Sequence, residues 1–546
     1  MPPAFSSRPA ARWWSLTFLA AGLGMIILDG TIVAIALPSI MRDLSLTLPQ
    51  AEWVNALYAV VFAALLLTAG RLADHWGRRA LFLLGVAIFT ATSVLAALAP
   101  TAGLLIAARG LQGVGAALVL PSSLATLSAT FTGRERAAAF GIWGAITAGA
   151  AAIGPVLGGW LTATWGWPLI FWVNVPLGAL VLLGVRLTTP ETRGPRTVGF
   201  DYLGFALSAW AVASLIFSLI EGPTLGWFTP RPAASTRGAL ADLPLSPIPL
   251  LLASSALAGA AFLVRQHRQT RRGAPVILDL TLFRLPTFTW GNATAALVAV
   301  GQFALVFVLP LFLLAVRGLD PLATGLTVAA MAGGAFASGI FARHLAARLG
   351  AARVVVGGLA LEVGAVAGLA LTLRAAPLWT LPAFLAAYGL GLGLASAQLT
   401  STTLVDVPSA NAGQGSATQS TVRQIGSALG TVLAGATLSL GLATYVPPPP
   451  TSVTTAAAVV IPADLQTTAG IELPQLREAA ARGELGPDGP QWVAALTSAT
   501  ARAATLTLGV TLAFLTLGLA SALQLARRSR PHSTTEHGLS SARARR

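Results

Sequence analysis

Fourteen stretches of this chain are each long and apolar enough to cross a lipid bilayer. They fall at about 13–40, 52–70, 80–99, 103–128, 138–162, 168–187, 201–220, 248–266, 287–315, 321–342, 354–373, 378–404, 412–442 and 498–526. About 20 residues of helix rise roughly 30 Å, the thickness of the hydrocarbon layer. No water is available there to satisfy a backbone N–H or C=O, so each stretch has to bond internally as a helix. The expected fold class is an all-α polytopic membrane protein with 14 transmembrane helices. Composition agrees: 10% of residues are charged and 55% hydrophobic, against about 25% charged in a soluble domain. The surplus of apolar side chains has to face lipid.

The net charge of +15 does not mark a nucleic-acid binder. Every basic residue is Arg, and the arginines recur in short loops between spans rather than on a soluble domain. An even number of spans puts both termini on one side. With the termini inside, cytoplasmic segments hold roughly three times as many arginines as outer ones, which is the positive-inside bias. The expectation is a multi-pass cell-membrane protein with both ends cytoplasmic. The basic start MPPAFSSRPAARWW runs into a span too long for a signal-peptide core, so it reads as a retained first helix. The two longest connections, 221–247 and 443–497, fall outside. The second carries four prolines at 447–450 and reads as a flexible or weakly helical excursion. The absence of cysteine excludes disulfides and thiol chemistry.

The chain also repeats itself. RHLAARLGAAR at 343–353 is a degraded echo of LADHWGRR at 72–79, with Gly350 standing where Gly77 does. The same offset carries the start of the first span onto the start of the ninth. This divides the chain into a cytoplasmic tail (1–12), a six-helix half (13–187), a linker with two extra helices (188–286), a second six-helix half (287–526) and a cytoplasmic tail (527–546). Parallel halves related by an axis along the membrane normal are one way transporters are built.

The connection after the second span reads GRLADHWGRR. Gly70 and Gly77 suit a tight turn, because glycine takes positive φ without penalty. Asp74 is suited to accept from helix-start N–H groups and to pair with a guanidinium. Arg78 and Arg79 fix the loop on the cytoplasmic side. This stretch resembles the G-x-x-x-D-x-x-G-R-R loop of the major facilitator superfamily of transporters. The fourteen-span arrangement is similar to that of its drug:proton antiporter branch. The resemblance implies the major facilitator fold, with two six-helix halves plus two inserted helices, and gives the Gly70–Arg79 loop a cytoplasmic gating role.

Other stretches carry the same resemblance. LDGTIVAIALPSI at 28–40 looks like the branch's first-span signature and places Asp29 near mid-membrane. A carboxylate there costs about 2.5–3.5 kcal/mol on insertion scales, so it needs a partner. The resemblance implies a proton carrier or cation contact; a carboxylate that ties one helix to the next is the competing reading. RGLQGVGAA at 109–117 resembles a fourth-span motif. Gly113 and Gly115 there thin the helix for a close neighbour, and Arg109 stays charged at any relevant pH. A permanent cation beside a carboxylate favours its charged form, and withdrawal favours the protonated form. Arg109 and Asp29 are expected at similar depth, facing each other across the central cavity; the alternative is that Arg109 snorkels outward or binds a backbone carbonyl. GAAAIGPVLGG at 149–159 resembles the antiporter motif of exporters. Gly154 and Pro155 permit a bend, and Gly149, Gly158 and Gly159 make a smooth packing face. WGWPLIFWVNVPLG at 165–178 fits the branch's entry to span six, with Asn174 as a structural residue and Pro168–Leu169 in place of the usual Arg-Trp. DYLG at 201–204 and LDLTLFR at 278–284 look like the entries to spans seven and nine. Arg423, in AGQGSATQSTVRQIGSALG at 412–430, is expected to be structural.

Glu362 stands in span eleven, on a helix expected to be peripheral. It is either a second proton-coupling acid or a protonated acid against a neighbouring helix. Trp53, Asn55, Tyr58, Gln112, Gln302 and Gln398 are candidate cavity-lining groups or ordinary interhelical bonds. Asp406 reads as a helix cap or a solvated acid. There is no Walker A motif and no HExxH, which argues against ATP coupling and zinc catalysis. The expected function is proton-coupled efflux of a hydrophobic, drug- or antibiotic-like compound by alternating access. No cofactor is expected beyond the proton gradient. The expected partners are the small substrate, protons and membrane lipids, for a monomer without enzyme activity. A dedicated exporter of a metabolite, peptide or lipid precursor is the alternative; a non-transporting sensor is the remote one.

Overall fold

The computed structural model describes residues 9–529, apart from 132, 194–198, 200, 230–245, 374–376, 378, 409–411, 451–464 and 466–467. Among the described residues the chain is helical throughout. In order the helices are α1 (Pro9–Asp43), α2 (Leu48–Trp76), α3 (Arg78–Ala97), α4 (Ala102–Thr130), α5 (Gly133–Trp165), α6 (Leu169–Trp172), α7 (Asn174–Thr188), α8 (Tyr202–Leu225) and α9 (Pro247–Arg271). They continue with α10 (Pro286–Ala315), α11 (Pro321–Leu349), α12 (Ala351–Thr372), α13 (Thr380–Thr403), α14 (Ala412–Tyr445), α15 (Leu473–Ala481) and α16 (Gly489–Arg528). Twelve segments are long and apolar enough to cross a membrane among the described residues. The long helices α2 and α5 come in addition, so the order is consistent with the expected fourteen.

Helix pairing follows the sequence repeat. In the first half α1 packs on α5, α2 on α4, and α3 on α4 and α7. In the second half α10 packs on α14, α11 on α13, and α12 on α13 and α16. The two halves meet along two matching seams, α2 with α14 and α5 with α11, and α1 also touches α10. The inserted helices α8 and α9 pair with each other, and α8 lies against both α2 and α14. Ile216 and Ile220 of α8 share one apolar cluster with Ala56 and Val60 of α2 and with Ala428 and Val432 of α14. The insert therefore covers one seam, a feature that comes from three-dimensional packing alone.

The insert is held at its other end by a polar knot. Asp201 caps α8, accepting from the Gly204 N–H at 2.8 Å. It also accepts from Arg265 at 2.7 Å and Gln266 at 2.7 Å, both on α9. Burial works to raise the Asp201 pKa, but these hydrogen bonds and the Arg265 charge outweigh it and hold the carboxyl below its ordinary value.

The loop at 70–79 corrects the expectation of a two-glycine turn. Gly70 continues α2, and the whole connection is one residue, Gly77, at φ 116°. Its N–H still bonds to Ala73 O, and α3 begins at once. Gly350 does the same between α11 and α12, at φ 85°. Glu191, beyond α7, supplies the acceptor for the start of α3. Its carboxylate takes the backbone N–H groups of Arg79 (3.0 Å) and Ala80 (3.1 Å), where a helix N-terminus favours negative charge. The Asp74 side chain lies outside the described residues. Arg78 donates to Ala125 O and Arg79 to Thr189 O.

The excursion at 443–497 is also more ordered than expected. It contains α15, and the last long helix starts at Gly489 rather than at 498. Leu465, Leu473, Trp492 and Leu496 form a small apolar cluster. Arg477 donates to Val316 O at 2.6 Å, which fastens α15 to the end of α10. The expected tail beyond residue 529 lies outside the described residues.

Candidate functional site

A buried ion pair lies at the centre of the first half. Arg109 of α4 donates to Asp29 of α1 at 2.5 Å, and each side chain is 1% exposed. They touch directly rather than facing across a cavity, and outward snorkelling of Arg109 is excluded. Isolated charges at such burial are expensive to keep, so the pair needs every remaining hydrogen-bond position filled. Arg109 also donates to Val54 O (3.2 Å) and to Gln112 (2.7 Å). Its guanidinium stacks over the Tyr58 ring, 4.5 Å from the centroid, a favourable cation–π contact. On the other side, Asn174 at the start of α7 donates to Asp29 at 2.9 Å and to Ser93 at 3.2 Å. Gln112 donates to Ser93 at 2.8 Å, which closes the ring.

Five helices supply this network, and small residues let them approach. A Cβ on Gly113 would stand 2.7 Å from Tyr58 O of α2, and one on Gly115 equally close to Gly85 O of α3. In α5, Gly154 fits against Thr31 of α1, and Gly158 lies on Ile32. Gly149 departs from the expected packing face, since nothing among the described residues lies within 4 Å of its Cβ position. Gly159 faces the second half instead. Its Cβ position is 3.2 Å from Gly325 Cα of α11, so the antiporter-like motif lines the α5–α11 seam.

Several candidate residues lie elsewhere. Trp53 points into the insert rather than a cavity: its Nε1 donates to Glu221 of α8 at 2.9 Å, and its ring packs on Phe217. Gln112 and Tyr58 belong to the buried network. Asn55 and Gln398 are half-buried. Glu362 is fully buried between α12 and α13, where a Cβ on Gly391 would lie 3.0 Å from its Cγ. Neither carboxylate oxygen has a hydrogen-bond partner among the described residues, nor does the nearby Tyr388 hydroxyl. Glu362 thus belongs to the second half and stands apart from the Asp29 network. Asp406 is exposed and accepts from Thr287 at 2.8 Å.

Gln302 meets Arg423, Gln419, Ser396 and Thr400 around a cavity of about 20 Å³ where α10, α13 and α14 come together. Arg423 is exposed there. A larger groove of about 500 Å³, between α14 and α16 beside Tyr445 and Arg502, holds none of the candidate residues.

Sequence reasoning missed four groups. Ser93 sits in an apolar run and gives no signal of its own. Glu191 and Glu221 act at a distance in sequence. Glu52 is 3% exposed at the seam, against Gly435 of α14 and within electrostatic reach of Glu221. An acid at the very start of an apolar span was the signal available.

Comparison with known proteins adds to this geometry. Residues 19–431 match the family model described as Major Facilitator Superfamily. The chain is 34% identical over 431 residues to the multidrug resistance protein Stp of Mycobacterium tuberculosis, covering 78% of this chain and 76% of that one. It is 32% identical over 441 residues to a probable actinorhodin transporter of Streptomyces coelicolor (79% and 73% covered). It is 30% identical over 444 residues to a tetracenomycin C resistance and export protein of Streptomyces glaucescens (80% and 77%). Among solved structures, a bacterial homologue of the human lysosomal transporter Spinster, in an inward-facing and unoccupied conformation, shares the fold. Its TM-score is 0.60 at 17% identity, with 96% of this chain and all of that one covered.

Proposed function

The chain belongs to the major facilitator superfamily, and on that premise we propose that it exports hydrophobic drug- or antibiotic-like compounds across the plasma membrane in exchange for protons. The observation that carries the coupling is the Asp29–Arg109 pair, a titratable acid held by a permanent cation and sealed from solvent. Asp29 is the group of this network able to carry a proton, and a relative movement of α1 and α4 is the step that parts the pair and opens it. The relatives support the substrate class: their names assign them multidrug resistance, probable transport of actinorhodin, and resistance to and export of tetracenomycin C.

The arginine bias places both termini in the cytoplasm. The seam contacts at Glu52–Gly435 and Gly159–Gly325 then lie toward the outer face, which is closed in this conformation. Transport follows from rocking of the halves about these seams, and the Gly77 turn works at the cytoplasmic end. The proton gradient is the energy source. The protein acts as a monomer in the lipid bilayer and has no enzyme activity. A dedicated exporter of one endogenous metabolite uses the same machinery and is separated by its substrate alone.

The test is proton release from everted vesicles on adding each compound of a drug panel, for wild type and Asp29→Asn. Release with some compounds, lost in the variant, is the expected result. Full pH-driven export by Asp29→Asn would sink the coupling role of Asp29.

A further inference from the structure

Arg423 is an exposed permanent cation partway along α14, in a stretch whose neighbours in sequence are buried or half-buried. Helix α14 is packed by α2, α8, α10 and α16. Arg423 lies 11 residues from Ala412 and 22 from Tyr445, or about 16 Å and 33 Å from the two ends of the helix. That is hydrocarbon depth. A charge exposed there, beside polar side chains of α10 and α13, faces the small recess between these helices rather than lipid. It is surrounded by hydrogen-bonding side chains, with Gln302 on α10, Ser396 and Thr400 on α13, and Gln419 on α14. No ion pair to Arg423 is present among the described residues.

The acids at this depth do not balance it. Asp29 is neutralised by Arg109 and sealed. Glu52 is buried at the seam, Glu362 is buried between α12 and α13, and Glu221 is bound by Trp53. Asp406 stands beyond the end of α13, held by Thr287. No acid lines the recess around Arg423 among the described residues, so the charge presented there is positive, and a guanidinium pairs best with a carboxylate or another planar oxyanion.

We infer that Arg423 is a substrate-binding residue that selects compounds carrying an acidic group, with Gln302 and Gln419 completing the polar recess. This rests on the export reading above and names its substrate class. The preferred cargo is an amphiphilic anion whose acidic group enters the recess, since about 20 Å³ admits that group alone and leaves the hydrophobic body outside it. Cationic drugs are disfavoured.

Fluorescein, an anion, and rhodamine 6G, a cationic ester with no free carboxylate and called rhodamine below, share a xanthene core and differ in charge, so they serve as probes. Equilibrium binding of each to the full chain in nanodiscs decides the inference. Wild type is expected to bind fluorescein more tightly than rhodamine. Arg423→Gln should lose at least about tenfold in fluorescein affinity, as expected for one charge-assisted hydrogen bond, and Arg423→Lys should retain most of it. Rhodamine binding should be unchanged or improved in Arg423→Gln, which also shows that the variant is folded. Tighter binding of rhodamine by wild type, unchanged fluorescein affinity in Arg423→Gln, or binding of neither dye would overturn the inference. Movement of the bound dye into proteoliposomes under a pH gradient is scored separately. Its failure with binding preference intact counts against the export reading and leaves the assignment of Arg423 standing.

Discussion

Replacing Asp29 by Asn tests whether the first half is built around a neutralised charge. The substitution keeps the shape and one acceptor oxygen but removes the negative charge. Arg109, at 1% exposure, is left as a buried cation with Val54 O, Gln112 and the Tyr58 ring for company. Breaking one side of a buried pair costs about 3–5 kcal/mol. The remaining amide contacts put this case near the lower end, about 3 kcal/mol, or roughly two orders of magnitude in the folding equilibrium. The double variant Asp29→Asn/Arg109→Gln carries no buried net charge, so it should recover a large part of that loss. Thermal unfolding of the purified protein, followed by tryptophan fluorescence, reads the cycle. Vesicle assays read the coupling, which both the single and the double variant should lack. Additive destabilisation, with the double variant the least stable of the set, would refute the claim that the pair exists to neutralise a buried charge.

Gly77→Ala and Gly350→Ala separate backbone strain from crowding. Both positions have positive φ, which costs about 1–2 kcal/mol for a residue with a Cβ. Only at Gly77 would the new atom also meet a carboxylate, that of Glu191 at 2.7 Å, so Gly77→Ala should be the more destabilising; equal melting temperatures would contradict this. Gly159→Leu places a side chain where Gly325 Cα lies 3.2 Å from the Cβ position, an overpacking of about 1–3 kcal/mol. It should hold the α5–α11 seam apart, abolish transport and raise labelling of a reporter cysteine introduced at the buried Thr324, in a chain that has no cysteine of its own. Asp201→Ala removes the α8 cap, worth about 1 kcal/mol, and the tie to α9. The folded-state pKa of Asp201 is lowered, so its contribution is present above the ordinary aspartate value of about 4 and is lost as pH falls through the lowered one. Amide exchange at the start of α8 should accelerate in that acid window in wild type and be fast at neutral pH in the variant.

Membrane residence and the helical class were legible because hydrocarbon leaves a twenty-residue apolar segment no other way to satisfy its backbone. The expectation of two halves rests on the echo of Gly77 at Gly350, and both glycines turn the chain in the same way. Asp29 and Arg109 could be paired from depth alone, since a helix converts residue count into height. What height does not give is azimuth. Whether a side chain at a given level turns to its own half, the other half or the insert depends on how helices rotate and pack. Trp53 therefore went to α8 rather than to a cavity, Asn174 met Asp29, and Arg423 turned to the recess beside Gln302. Gly149 and Gly159 share a motif, yet only Gly159 meets a neighbour. The sequence by itself determined which segments cross the membrane, in what order, and which polar groups stand at which depth. The tertiary structure alone decided which of those groups touch, because burial and neutralisation of a charge come from packed neighbours that local sequence does not encode.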